Sequence, residues 1–495
     1  MAGKGNIVKR PNVLWYCTDQ QRFDTIAASG NPQVRTPNID RLAARGTLFT
    51  QAFCQSPVCT PSRASFLTGM YPSAVSVNQN GVPTFPEYYS DRLISRRLAD
   101  EGYYCGLVGK LHLASAANGQ EPRVDDGYEY FEYSHDHKGP DARGNDYAKW
   151  LRAIGEDPRE LLEQPVARKD YAAGANNPSF GGLRIPTAEK DNIPAPVHQT
   201  RWCTEKALEF LDEGRRRKEP WFLSVNPFDP HPPFDPPWEY YRRYDAETMP
   251  GPHATTESIA RQISLAESGV EFQSSALDRP PEYARSIQAA YYAMIELVDT
   301  EFGRILDWLD DSGEAENTII IFMSDHGEML GDHGLLLKGC RLYEGLVRVP
   351  LIVSVPGSRA PGTQNHELVE LVDLVPTILT AVGMDVPYYV QGMSLLPQIE
   401  GDAATHRQSV RAEAFRVIDN RFQTHATMYR DHRWKLIRYH EIDRNELFDL
   451  ENDPWEYVDL ADDRDHQDTL RRLQAASFDA TVAAHVPDVP RVAPY

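Results

Sequence analysis

The chain has 495 residues, 41% of them hydrophobic and 25% charged, which allows a sizeable core and is ordinary for a soluble protein. Its formal net charge of −21 excludes broad nucleic-acid binding, which needs a basic face, and opposes attachment to anionic membranes. The start MAGKGNIVKRPNVLWYC lacks the apolar run and small-residue cleavage site of a secretory signal, and no window approaches the length of a membrane span, so the expected location is cytoplasmic.

In chain order, short apolar runs read as buried strands: NVLWYC at 12–17, YYCGLVG at 103–109, WFLSV at 221–225 and NTIIIFM at 317–323. Helical patterns fall between them. TPNIDRLAARG offers Thr36 as N-cap, Pro37 in the first turn and Gly46 as a stop. LISRRLADEG repeats that form, and RSIQAAYYAMIELVDTEFGRILDWLDD is a long amphipathic helix ending before Ser312-Gly313. Strands alternating with helices predict an α/β fold, a large, mostly parallel sheet sandwiched by helices. Residues 115–195 and 228–282 break the pattern with Asn-, Gly-, Asp- and Pro-rich sequence, the composition of long functional loops. After about 395, EAFRV, HATMYR, RWKLIRYH and NELFDL predict a short antiparallel sheet with a closing polar helix. The expected division is a catalytic domain over 1–395 and a small C-terminal α+β subdomain over 396–495.

Ligands bind beyond the carboxyl ends of the strands in an open parallel sheet, and the polar residues of this chain collect there. Asp19 and Gln20 follow the first run, Lys110 and His112 the second, Asn226, Asp229 and His231 the third, and Asp325 and His326 the fourth. Asp19 and Asp325 are hard oxygen ligands for a divalent cation, with His326 or Gln20 to complete the shell; each Asp taken alone is equally a helix or turn cap. On an extended strand Lys110 and His112 would share a face and point at one ligand. Six cysteines, at 17, 54, 59, 105, 203 and 340, show neither metal-ligand pairs nor a disulfide framework, and reduced thiols are expected.

Cys59 is different, because SPVCTPSRASFLTG places it where a helix begins. A thiol there is acidified by the helix N-terminus, and Arg63 one turn on can grip an anion. Yet a soft thiolate is a poor companion for a hard cation.

These segments resemble the type I sulfatases of the alkaline phosphatase superfamily. One signature stands as Cys59-Thr60-Pro61-Ser62-Arg63 with Thr68-Gly69, and a second as Gly102-Tyr103 leading to Gly109-Lys110-Leu111-His112. SDHGEMLGDHGLLLKG, which contains Lys338, and the flanking TPNIDRLAARG and ELFDLENDPWE extend the likeness over nearly the whole chain. The resemblance implies that a separate formylglycine-generating enzyme oxidises Cys59 to formylglycine, so that the working atom at position 59 is oxygen. One oxygen of the aldehyde hydrate would then attack sulfur, and the other, deprotonated with help from His112, would expel sulfate. It further implies that Arg63 and Lys110 hold the hydrate, and that Lys338 and His231 bind the sulfate oxygens, with His231 or Lys338 protonating the leaving group. Asp19, Asp325, His326 and residue 59 would hold one divalent cation, Ca²⁺ foremost, with Mg²⁺ or Mn²⁺ as alternatives.

Two positions depart from the commonest sulfatase pattern: Gln20 replaces a second aspartate and His326 an asparagine. Both departures are shared with choline sulfatases and phosphonate monoester hydrolases. The expected function is therefore hydrolysis of sulfate esters of a small molecule or carbohydrate. A phosphonate monoester or phosphodiester hydrolase is the first alternative, and a silent anion-binding homologue the second. Tyr88, Tyr89, Tyr128, Tyr130 and Phe131 either stack on the organic half of the substrate or anchor loops. Exposed aromatics on long insertions would also serve a homo-oligomer.

Overall fold

The computed structural model describes residues 10–116, 120–135, 145–162, 183–270, 272–275, 281–417 and 424–485. Its centre is an eight-stranded sheet in the order Thr363–Asn365, Thr47–Phe49, Leu351–Ser354, Thr318–Ser324, Asn12–Thr18, Trp221–Asn226, Tyr104–Gly109, Tyr130–Tyr133. Only Leu351–Ser354 runs against its neighbours. The four strands read from the apolar runs are its contiguous middle, and the sequence-silent ones are mainly short strands at its margins.

Both faces are covered, which explains why the central strands are apolar without alternation. Along Asn12–Thr18, Leu14 and Tyr16 face one layer with Trp202 and Phe210 of the helix Gln199–Arg217 and Phe302 and Ile305 of the helix Pro281–Ser312. Val13, Trp15 and Cys17 face the other layer, against Phe66 of Cys59–Thr68, Leu98 of Ile94–Asp100 and Ile378 of Leu374–Ala381. The long amphipathic helix begins a turn before its expected start and is followed by Gly313 at φ 74°. Thr36 lies at the N-cap of Pro37–Arg45 without a side-chain cap bond. Asp299 of the long helix accepts from the amides of Asn38 and Ile39 instead.

The strands Ser409–Phe415, His425–Asp431, Trp434–Tyr439 and Arg444–Asp449 form the expected antiparallel sheet, and the helix Gln467–His485 follows. One face packs Leu436 and Leu447 on Leu470 and Leu473; the other adds Val410, Met428 and Phe448 to the main core.

The two irregular stretches hold more structure than their composition predicts. Tyr130–Tyr133 is an edge strand of the main sheet, and Asp146–Ala153, Thr256–Glu267 and Phe272–Ser275 are regular elements. Four of the five aromatics anchor the chain: Tyr128 stacks on Phe222, Phe131 on Tyr133, Tyr130 packs edge-on against Phe210, and the Tyr89 hydroxyl donates to Ala74 O. Tyr88 alone of the five is 67% exposed. All six cysteines are buried. No helix among the described residues is long and apolar enough to cross a membrane.

Candidate active site

The register of the central strands sets the geometry. Thr18 lies opposite Ser324 in a parallel pair, so Asp19 and Asp325 leave neighbouring strand ends at the same level. Both are fully buried. Directly after Asp19 the backbone turns through Gln20 at φ 67°, and the Gln20 amide donates to Asp325 Oδ1 at 3.0 Å. The Gln20 side chain donates from Nε2 to Glu328, whose other oxygen accepts from the amides of Leu330 and Leu337. Sequence reasoning did not find Glu328, because nothing in its spacing sets it apart from the acidic residues of the surface.

Cys59 opens the helix Cys59–Thr68, whose N-cap, Val58, supplies no side-chain acceptor. The Thr60 amide is satisfied by Asn80 Oδ1 at 2.9 Å, a second residue that carried no sequence signal. Cys59 Sγ lies 3.1 Å from His326 Nε2, 3.0 Å from Lys338 Nζ, 3.7 Å from Asp19 Oδ1 and 3.8 Å from Lys110 Nζ. Burial and Asp19 oppose ionisation of this thiol, but Lys110, Lys338 and His326 outweigh them and lower it to about 5. The other buried cysteines show what burial does without such neighbours: Cys17, Cys54, Cys105 and Cys203 are all pushed up.

Asp19, Cys59, Asp325 and His326 each offer one ligand atom, all within 4.8 Å of one another. The donor chemistry fits a divalent cation. His326 Nδ1 lies 2.9 Å from Gly327 O; donation of its proton there turns the Nε2 lone pair into the cluster. Burial raises both carboxyls, yet Lys110 and Arg63 hold Asp19 well below the usual range. Asp325, buried beside the Asp19 charge, is pushed up. Two carboxylates side by side resist joint ionisation, and a cation between them relieves that repulsion. Arg63, also fully buried, bridges the pair with Nε 2.9 Å from Asp325 Oδ2 and Nη2 3.5 Å from Asp19 Oδ2.

Lys110 and His112 reach the site by a route the sequence did not predict. The strand ends at Gly109, φ 96°, and His112 has φ 57°, so the two do not share a strand face. Lys110 Nζ turns onto Asp19 Oδ2. His112 is buried, and burial together with Lys110 and Arg63 lowers its pKa well below the usual imidazole value. Its ring makes no hydrogen bond among the described residues, and Nδ1 has no partner. His231 and Lys338 meet beside Cys59, with Lys338 Nζ 3.0 Å from His231 Nε2. His231 Nδ1 lies 2.8 Å from Pro232 O, so the tautomer that donates there leaves Nε2 as an acceptor. Burial and Lys338 keep this histidine neutral as well. Every site residue expected from the sequence thus lies at one edge of the sheet.

An α/β sheet with buried carboxylates, a histidine and a focused cysteine at its carboxyl edge defines a hydrolytic class with the alkaline-phosphatase-like architecture. Residues 11–384 match the family model described as Sulfatase, and residues 331–481 the model described as N-sulphoglucosamine sulphohydrolase, C-terminal. The chain belongs to the sulfatase family and is an enzyme of that family. It is 30% identical over 483 residues to an arylsulfatase of Clostridium perfringens, covering 94% of this chain and 93% of the relative. A choline-sulfatase of Rhizobium meliloti is 29% identical, with 95% of this chain and 87% of that protein covered. Among solved structures, the phosphonate monoester hydrolase of Agrobacterium radiobacter superposes with a TM-score of 0.77 at 27% identity, covering 96% of each chain.

Proposed function

We propose that this sulfatase hydrolyses sulfate esters of small molecules or carbohydrates with residue 59 in its formylglycine form. Asp19, Asp325, His326 and residue 59 would hold one divalent cation, Ca²⁺ foremost. The observation that carries the proposal is the convergence of Lys338, His326, Asp19 and Lys110 on the terminal atom of Cys59, all within 3.8 Å. In formylglycine that atom is replaced by an aldehyde oxygen, and hydration makes it a geminal diol. When bound, the cation supplies Lewis-acid charge at position 59 and at the sulfate.

The protein's own groups do the rest. Arg63 holds both aspartates in place, and Lys110 with it keeps Asp19 ionised. Lys338 and His231, 3.0 Å apart, bind the sulfate oxygens. As one hydroxyl of the diol attacks sulfur, Asp325, within 4.8 Å of the atom at position 59, takes its proton. The S–O bond to the alcohol breaks and the proton shared by Lys338 and His231 passes to the leaving alkoxide. One of the protons taken up in the cycle recharges that pair, while the other leaves as the product acid. His112, neutral and buried, takes the proton of the second hydroxyl. The carbonyl re-forms as sulfate departs, and water restores the hydrate.

Mass spectrometry of the peptide containing residue 59, from enzyme active on an aryl sulfate, is expected to show the aldehyde or its hydrate. Full activity with only the thiol present would sink the mechanism. A second reading, hydrolysis of phosphonate monoesters, is favoured by His326 and Gln20 and by the likeness to the Agrobacterium enzyme. Comparing kcat/KM for an aryl sulfate and a phenyl phosphonate ester decides between them, since that ratio reports differential transition-state binding.

A further inference from the structure

His112 presents a puzzle of orientation. A catalytic imidazole is usually aimed by a partner on its second nitrogen, and here the ring has no hydrogen-bond partner among the described residues. It packs edge-on against His135, with ring centroids 4.5 Å apart, a contact that restricts tilt but holds no proton in place. The backbone must therefore do the aiming, and it does so from the left-handed region at φ 57°, which is unfavourable for a non-glycine residue.

Glu121 holds that backbone. Its carboxylate accepts from the His112 amide at 2.6 Å through Oε2 and from the Leu113 amide at 2.8 Å through Oε1. The Tyr133 hydroxyl, on the edge strand of the sheet, donates to Oε2 at 3.2 Å. Glu121 is 3% exposed, so these bonds work where water does not compete. Two successive amides gripped by one buried carboxylate fix both the turn and the direction in which the His112 Cα–Cβ bond leaves it.

We propose that Glu121 is the positioning residue for His112: it clamps the two amides, ties them to the Tyr133 hydroxyl, and so aims the imidazole into the pocket of residue 59. This rests on the reading that His112 takes the proton of the second hydroxyl.

The test is a double-mutant cycle on the converted enzyme with an aryl sulfate as substrate, using Glu121→Gln and His112→Ala alone and together. His112→Ala is expected to lower kcat by about 10²–10⁴-fold, the range of general acid–base contributions. Glu121→Gln is expected to lower kcat about tenfold or more, the lower bound for losing a group that orients a functional histidine, with KM nearly unchanged. In the His112→Ala background its further effect should vanish. An equal loss of kcat in both backgrounds, or wild-type kcat in Glu121→Gln, overturns the proposal. Wild-type kcat in His112→Ala instead overturns the role of His112 itself, and the positioning role with it. If Glu121→Gln does not fold, Glu121→Asp runs the same cycle: it keeps the charge, but one methylene shorter it cannot reach both amides.

Discussion

At the scale of single residues, the site's central difficulty is two carboxylates buried next to each other, and Arg63 carries much of the answer. Its guanidinium reaches Asp325, Asp19 and the Lys110 carbonyl, the last at 3.0 Å. Removing one partner of a buried charge group leaves the others uncompensated, at a cost of about 3–5 kcal/mol. Arg63→Ala is therefore expected to lower the urea midpoint clearly and to abolish turnover. Arg63→Lys restores a charge but not the fork that spans three acceptors, so it should recover stability only in part. An unchanged midpoint in Arg63→Ala would mean that the aspartates do not depend on this guanidinium. Gln20 belongs to the same balance: a neutral amide, donating to Glu328 rather than adding a third negative charge, leaves the cluster with two carboxylates.

Among the elements, the strand Tyr104–Gly109 shows why delivery of a side chain is not the same as spacing. Gly109 has φ 96°, and a Cβ there would lie 2.1 Å from Asn226 O. The close approach lets the Lys110 amide donate to that same carbonyl at 2.9 Å, and from there Lys110 turns inward. Gly109→Ala adds a backbone clash to the cost of about 1–2 kcal/mol for a left-handed alanine. It is expected to push the Lys110 segment off Asn226, with loss of activity and a lowered melting temperature; a variant with normal Tm and kcat would show that this crossing can relax freely. The central strands were legible in the sequence because burial on both faces writes an unbroken apolar run, and the polar residues behind each run marked the functional edge. The marginal strands Thr47–Phe49, Leu351–Ser354 and Thr363–Asn365 were not, being short and lacking a period of their own. Glu121, Asn80 and Glu328 were equally silent, since a side chain that caps a remote backbone amide leaves no pattern in local sequence. The i, i+2 rule failed for Lys110 and His112 for a physical reason, the turn that Gly109 starts before either is reached.

For the molecule as a whole, acidity governs stability with both signs. Burial pushes Asp299 up to about 7 against the amides of Ile39 and Asn38, and pushes Glu121 to about 7 and Asp459 to about 6. In the unfolded chain these groups lose their protons near pH 4. Between about pH 4 and 7 the folded state therefore binds protons that the unfolded state has lost, and stability falls as pH rises, by up to about 1.4 kcal/mol per pH unit for each group. Asp24 and Asp373 work the other way. Against the cost of burial, Arg22 and Arg407 hold them below the usual range, so their stabilisation is present above the unfolded value and disappears as pH falls through the lowered one. The melting temperature is accordingly expected to rise from pH 7 to about pH 5 and to drop below about pH 4. A net charge of −21 adds self-repulsion of the same sign as the first trend, but salt screens that part. Asp299→Asn separates the two: at high salt the slope between pH 5 and 7 should persist in the native protein and be shallower in the variant by up to one proton's worth. A native slope that salt removes entirely would assign the trend to net charge and leave the cap at Pro37–Arg45 without a titrating role.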